Sequence, residues 1–434
     1  MQPNDQLSGS TRHRSRMIGT GIAIAVAVVL LIVGVGAGYV VGYYTHTSSS
    51  NSSSSTTIQL TETGSTLLYP LFKYYWFPNY TAPANGPTVI LSADGTGSGA
   101  GQTGAIHSLV NIGASDAYLT NTSTNGVLNF PVAISAQYIY YNLPAPLNTV
   151  HLNLNGTILA MIYAGDITTW DNPLILAAQT AAVQSDLKAM SSETIIPFKR
   201  LDASGDTFLF TSICYESWSG FPFTASTSGL SGDTIPNIQS ATGNGGMVTG
   251  MQKVPYSIGY IGISYATEAA SAGLQYAAVG DNLSASASGG TDLANYILPS
   301  PTNISYDANL GLQRLDFSQY GLGVSLILGG SPSGAVDLGA SPGGGGTNPT
   351  STSPTPYPLV NLEYTIIKTS PTAGSAVVTS ASLLATVQFE QWALSYGNFQ
   401  SNGAGTVWLN AVGFLPLTPE VIGYDVQELA TVST

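Results

Sequence analysis

Three short stretches set small hydroxyl residues directly in front of a run that reads as a helix. They are Ser65-Thr66 before Leu68, Ser98 before Gln102, and Ser204-Gly205-Asp206 before Phe208. A helix start leaves backbone N–H groups unpaired and carries about half a positive charge. Three such starts converging would make an anion cradle that needs little formal charge. The hydroxyls of Thr66, Ser98 and Ser204 add donors. Each stretch alone is also what an ordinary N-cap looks like, worth about 1 kcal/mol of helix stability. The glycines around Ser98 and Ser204 favour a site, because they let backbone amides approach a ligand closely. Arg200 stands just before the third stretch, in a chain with only 10 Lys plus Arg. Its guanidinium can grip a tetrahedral oxyanion through two N–H groups. Asp202 could orient it, although a surface ion pair is the plainer use of the two.

Asp116 and Asp206 look out of place beside an anion, yet they would choose between anions. Phosphate near neutral pH keeps a proton and can donate a hydrogen bond; sulfate cannot. A buried carboxylate acceptor therefore admits the first and rejects the second. Capping and turn formation are the usual work of Asp in such loops. Gly99-Ala100-Gly101-Gln102-Thr103-Gly104 matches the G-x-G-x-x-G dinucleotide pattern, and Asp116 follows 12 residues after Gly104. The pattern should sit at a strand end, however, and Ala93 to Thr96 are expected to intervene. Hydrolytic constellations are missing. Of four histidines, His13 and His46 lie near the N-terminus, leaving His107 and His151. There is no Gly-x-Ser-x-Gly elbow with a His partner and no His-Glu-x-x-His. The single cysteine, Cys214, excludes internal disulfides and Cys-based metal sites, and reads as a buried helix residue. No catalytic group, metal or cofactor is expected.

The elements that must hold these loops alternate. Strands are expected at 58–61 and 88–92, a helix at 67–76, and a second helix after the glycine loop to about Val110. A short strand then ends in Gly113-Ala114-Ser115-Asp116. Strand–loop–helix units of this length predict a mostly parallel sheet. Residues 130–141 read as one long β-branched and aromatic strand that crosses into a second lobe. A strand at 195–198 leads to a helix from Thr207. Residues 331–357 form a long Gly/Pro/Ser/Thr loop, 359–368 a strand that returns to the first lobe, and 382–396 an amphipathic helix.

Charged residues are only 8% of 434, against a usual figure of about 25%. Yet one apolar run alone is long enough to span a bilayer. Residues 17–44 carry no charge, with Arg12, Arg14 and Arg16 before them and no basic residue after them until Lys73. The pattern predicts a transmembrane anchor with its N-terminus in the cytoplasm; a cleaved signal peptide is the alternative. A Ser/Thr stalk follows to Thr57. Residues 1–57 hold one acidic and three basic side chains, so the outward part is two charges more acidic than the −13 of the whole chain. That balance argues against nucleic acid, which needs a basic stripe.

Taken together, Glu62-Thr63-Gly64-Ser65-Thr66-Leu67-Leu68-Tyr69-Pro70, Gly95-Thr96-Gly97-Ser98-Gly99-Ala100-Gly101, Asn111-Ile112-Gly113-Ala114-Ser115-Asp116-Ala117 and Asp202-Ala203-Ser204-Gly205-Asp206-Thr207-Phe208 resemble the phosphate-binding protein of Pst-type ABC transporters, the mycobacterial branch most of all. Asn244-Gly245-Gly246 and Gly259-Tyr260-Ile261-Gly262 add to the match. The resemblance runs from about Leu60 to Pro419. It implies an α/β, two-lobed periplasmic-binding-protein type II fold with a hinge, here preceded by one N-terminal transmembrane helix. With the anchor read from the apolar run, the chain divides into a cytoplasmic tail (1–16), anchor (17–44), stalk (45–57), lobe I (58–131 and 358–434) and lobe II (132–357). It further implies that inorganic phosphate is captured outside the cell and passed to permease subunits, with no reaction catalysed. Carried over by position, Ser65, Thr66 and Leu67 form the first phosphate loop and Ser98 the second. Asp116 accepts the phosphate proton, Arg200 is the basic residue, and Ser204, Gly205 and Asp206 form the third loop. Ala203 departs from the glycine of many relatives. A phosphatase-like enzyme on the same fold, or a receptor for another tetrahedral oxyanion, are the alternatives.

Overall fold

The computed structural model describes residues 57–83, 87–119, 122–230, 235–280, 296–312, 357–395 and 405–434. The expected tail, transmembrane anchor and nearly all of the stalk lie outside the described residues, as does the Gly/Pro-rich loop apart from Tyr357. Among the described residues, no helix is long and apolar enough to cross a membrane.

Three parallel strands open the fold: β1 (Thr57–Gly64), β2 (Thr88–Gly95) and β3 (Ile112–Ser115). They end side by side, with Gly64 opposite both Gly95 and Ala114. The helical stretch α1 (residues 69–79) returns the chain from β1 to β2, with a π turn at Phe72–Trp76. It starts at Tyr69 rather than Leu67, with Pro70 in its first turn, where a missing N–H does no harm. The second helix, α2 (Ser98–Ile106), stops four residues short of the expected end. Ser108 takes a left-handed φ of 58° there and breaks the turn.

Strand β4 (Val127–Tyr141) runs 15 residues, buried along almost its whole length. Both faces are covered, so its β-branched and aromatic side chains need no polar alternation. Its first part pairs antiparallel with β12 (Val360–Lys368), from Val127 opposite Lys368 to Ala136 opposite Val360. Its last part pairs antiparallel with β8 (Ser257–Gly262), beginning at Gln137 opposite Gly262. Beyond β8 lie the parallel strands β6 (Ile196–Arg200) and β7 (Gln239–Ala241); β9 (Gln275–Tyr276) also pairs with β4, and β5 (Asn153–Asn155), β10 (Ala278–Gly280) and β11 (Tyr296–Ile297) form a separate small sheet. The order β2-β1-β3-β12-β4-β8-β6-β7 is therefore two mixed α/β lobes sharing β4. The chain crosses once on β4 and returns on β12. Three helices follow strands of the second lobe or pack beneath it: α3 (Gly156–Ala164), α4 (Gly205–Ser217) and α5 (Gly243–Lys253). Cys214 is buried in α4.

The glycine-rich loop differs from expectation in its strand end. Strand β2 runs on to Gly95, so only Thr96 and Gly97 separate it from α2. The four-residue gap that spoke against a dinucleotide loop is gone. The three pattern glycines nevertheless lie inside α2, not in the turn before it. A Cβ on Gly101 would stand 2.3 Å from the Ala114 carbonyl oxygen. That glycine lets the helix pack onto the β1–β3 ladder.

Helix α7 (Ser380–Ala393; α6 is Pro301–Leu312) packs against the first lobe and brings Glu390 into its core, fully buried. Burial pushes the Glu390 carboxyl up to about 8, against a weak hydrogen bond from Thr365 Oγ1 at 3.4 Å. Burial also raises Glu62. A folded-state value above the unfolded one favours folding fully below pH 4.5, and that support is lost as pH rises toward 8. Each tenfold change in a group's proton affinity is worth about 1.4 kcal/mol. Chemical denaturation should therefore show stability falling by a few kcal/mol between pH 4.5 and pH 8, and Glu390→Gln should flatten the fall. Stability that climbs over this range, or a Glu390→Gln profile parallel to wild type, would contradict the assignment.

Candidate functional site

The strand ends of both lobes meet at one place: β1, β2 and β3 from the first, β6, β7 and β8 from the second. Open α/β sheets bind ligands outside the carboxyl ends of their strands. All nine residues singled out in the sequence fall here. They form two adjoining hydrogen-bonded groups: Ser65, Leu67, Ser98 and Gly205 around Asp116, and Thr66, Ser204 and Asp206 with Arg200.

Ser65 follows β1 directly and is fully buried. Its Oγ accepts from the Leu67 and Leu68 amides, both at 3.0 Å, and donates to Asp116 Oδ1. The capping role and the site role thus belong to the same hydroxyl. Thr66 Oγ1 turns the other way. It accepts from Arg200 Nη2 at 3.0 Å, and from the backbone and side-chain nitrogens of Asn244, each at 3.2 Å. Leu67 presents its carbonyl to Ser264 Oγ at 2.8 Å.

Ser98 opens α2 without capping it. Its Oγ accepts from the Gly205 amide at 3.0 Å and the Asp116 amide at 3.2 Å, and donates to Asp116 Oδ2 at 3.2 Å. Ser204 caps α4 by accepting from the Asp206 amide at 3.1 Å. Ala203, at the position where the resemblance expects glycine, accepts from the Gly99 amide at 2.9 Å through its carbonyl. Gly205 is needed for space: a Cβ there would lie 2.5 Å from the Cβ of Asp116.

Arg200 closes β6 two residues beyond the strand end that the sequence pattern places at Phe198, with its side chain 1% exposed. It grips Asp202 with Nε and Nη2, meets Asp206 Oδ2 at 3.0 Å with Nη1, and reaches Thr66 in the other lobe. Burial works against its charge, and the two carboxylates outweigh that and raise its pKa. Burial likewise pushes Asp202 up, but the Arg200 hydrogen bonds and charge leave it below the usual range. Asp202 therefore orients the guanidinium, as its spacing suggests. Asp206 is different. Burial and then the neighbouring Asp116 charge push it up to about 6, against Arg200, Asn244 and Gln137.

Three supporting residues are not among the nine candidate site residues, although Asn244 opens a stretch that adds to the family resemblance. Asn244 donates to Asp206 Oδ2 at 2.7 Å and accepts from the Gly262 amide at 2.9 Å. Gln137 gives its side-chain nitrogen to the Asp206 carbonyl at 2.8 Å. Asn361 on β12 donates from Nδ2 to the Asp116 carbonyl. Gln137 and Asn361 each interrupt an apolar strand, a signal visible in the sequence. His107 and His151 stand apart, each turned to a backbone carbonyl of Thr103 or Tyr276.

A family model described as a PBP superfamily domain matches residues 49–379. The chain is 29% identical over 224 residues to a phosphate-binding protein PstS of Methanocaldococcus jannaschii, covering 49% of this chain and 55% of that one. It is 29% identical over 213 residues to a phosphate-binding protein PstS of Pasteurella multocida, covering 48% and 58%. The chain thus spans little more than half the length of these curated relatives. A crystal structure of a phosphate binding protein from Stenotrophomonas maltophilia matches with a TM-score of 0.54 at 18% identity, over 85% of this chain and 93% of that one. At that identity the likeness is one of fold.

The close approach at Gly205 is testable. Gly205→Ala should lower stability by about 1–3 kcal/mol in urea unfolding, the usual effect of overpacking. Gly423→Ala, where a Cβ would meet nothing within 4 Å, should be neutral or stabilising by up to about 1 kcal/mol. Equal effects at the two positions would show that the Asp116 contact is not tight.

Proposed function

We propose that this chain, which belongs to the PBP superfamily, is a solute-binding protein that captures inorganic phosphate between its lobes and delivers it to ABC transporter permease subunits. The observation that carries the reading is the meeting of three hydroxyl loops at the Asp116 carboxylate, with the buried Arg200 reaching the first of these loops at Thr66. Ser65, Thr66, Ser98 and Ser204 supply hydroxyl donors, and Leu67 and Gly205 supply backbone N–H groups. Arg200 supplies the charge. Asp116 takes the proton of the bound anion, and Asp206 is a second acceptor. The reading includes no catalysed reaction: the hydroxyls and amides serve to hold the anion. The names carried by the relatives agree with it.

The lobes in this reading are 58–131 with 358–434, and 132–357, hinged where β4 and β12 cross. The anchor belongs to the same proposal. A helix at 17–44 with cytoplasmic arginines would hold the receptor outside the membrane, beside its permease. Protease accessibility of the C-terminal part in intact cells tests that orientation; protection would refute it.

Isothermal titration decides the ligand. Phosphate should bind at least ~100-fold more tightly than sulfate, which leaves the carboxylates facing a fully ionised oxyanion. Sulfate binding as tight as phosphate would end the argument. Asp116→Asn should narrow the ratio with little change in melting temperature. Arg200→Gln should weaken phosphate by ~10- to 100-fold, the loss of hydrogen bonds to a charged group.

A further inference from the structure

Gly99 is the second residue of α2, and its backbone does not call for a glycine. Its φ lies outside the left-handed range, unlike that of Gly97 just before the helix at 99°. Within a helix alanine is the better former. What alanine would meet lies in the second lobe. A Cβ on Gly99 would stand 2.6 Å from the Cβ of Ala203, a methyl fixed to its backbone that cannot swing away. The next nearest atom, the Ala203 carbonyl oxygen, is at 3.5 Å. The Gly99 amide faces the same residue. The first N–H groups of a helix have no partner within it, and this one donates to the Ala203 carbonyl at 2.9 Å. Neighbouring residues extend the contact. The Gly205 amide donates to Ser98 Oγ at 3.0 Å, and a Cβ on Gly97 would lie 2.6 Å from Asp202 Oδ2. Residues 97–99 of the first lobe and 202–205 of the second therefore meet at backbone distance.

We propose that Gly99 and Ala203 form a clasp between the lobes, a positioning contact that sets how long phosphate is held although neither residue touches the anion. The proposal rests on the phosphate reading above. Gly99 gives its N–H to Ala203 and has no side chain, so it has nothing further to offer a ligand. Its contribution is the closeness of approach. Ser98 lies one residue before it, and Ser204 and Gly205 follow Ala203 directly. These donors face one shared space only while the two loops that carry them are in contact. A side chain at position 99 would hold the loops apart. Only the fraction of molecules able to close would then retain phosphate, and the apparent affinity falls with that fraction. Phosphate enters the open form, so the effect belongs in release rather than in capture. Because the clash is between two named methyl positions, removing the second should undo the effect of adding the first.

The test uses the full chain as wild type, as Gly99→Ala, and as Gly99→Ala combined with Ala203→Gly. Gly99→Ala should weaken phosphate binding by at least about tenfold in isothermal titration, with labelled phosphate released faster by a similar factor. The combined variant should return to within about threefold of wild type, since its alanine meets only the carbonyl oxygen at ordinary contact distance. Unchanged affinity in Gly99→Ala overturns the proposal, as does a combined variant that stays as weak as the single one. Hydrogen exchange supplies a reading that needs no ligand. The residue 99 amide should exchange slowly in wild type, at least about tenfold faster in Gly99→Ala, and slowly again in the combined variant. Equal exchange in all three overturns the proposal. If the exchange pattern holds while wild type ignores phosphate, the ligand assignment has failed and the clasp between the lobes stands.

Discussion

A single guanidinium, buried to 1% exposure, holds two carboxylates of its own lobe and a hydroxyl of the other. A buried cation left unpaired is very costly, so Arg200 needs Asp202 and Asp206 beside it. Those carboxylates in turn oblige the surroundings to supply donors. Asn244 and Gln137 do so for Asp206, and the Gly243 amide does so for Asp202 at 2.9 Å. Much of the polar architecture of the second lobe follows from this one charge. Thr66 receives its remaining reach, so that a hydroxyl loop of the first lobe is set against it.

The first lobe is organised around an anion instead. Asp116 takes two hydroxyls, from Ser65 and Ser98, and lies in van der Waals range of Gly205 in the facing lobe. The shared strand stands beneath both charges. Gln137 marks the point where β4 changes partner from β12 to β8, and there it reaches Asp206. Asn361 on the return strand reaches the Asp116 backbone. Movement of one lobe against the other would thus be felt at both acidic residues, through strands that belong to neither lobe alone.

The hydroxyl loops were readable because each sits at a strand end before a helix, where glycine and serine have few other uses in combination. The long strand and its returning partner were readable from unbroken β-branched and aromatic runs. Boundaries were less legible: β2 extends to Gly95 and β6 to Arg200, because ladder pairing with a neighbour overrides the weak strand preference of Asp94, Gly95 and Lys199. Gln137 and Asn361 were not legible as site residues, and Asn244 only as part of a stretch shared with the family. Gln137 and Asn361 are far from the hydroxyl loops in sequence, and only strand pairing brings them near Asp206 and Asp116. Their one local mark is a polar side chain where an apolar or glycine residue would be ordinary.

The proposed function depends on phosphate occupying the space between Arg200 and Asp116. A crystal structure of the chain grown with phosphate tests this most directly. It should place the anion within hydrogen-bond distance of Arg200, Ser98 and the 65–67 loop, with one phosphate oxygen about 2.5–2.7 Å from an Asp116 carboxylate oxygen, the length of a charged O–H···O bond. Phosphate bound at another surface, or held here with Asp116 turned away from it, would contradict the account.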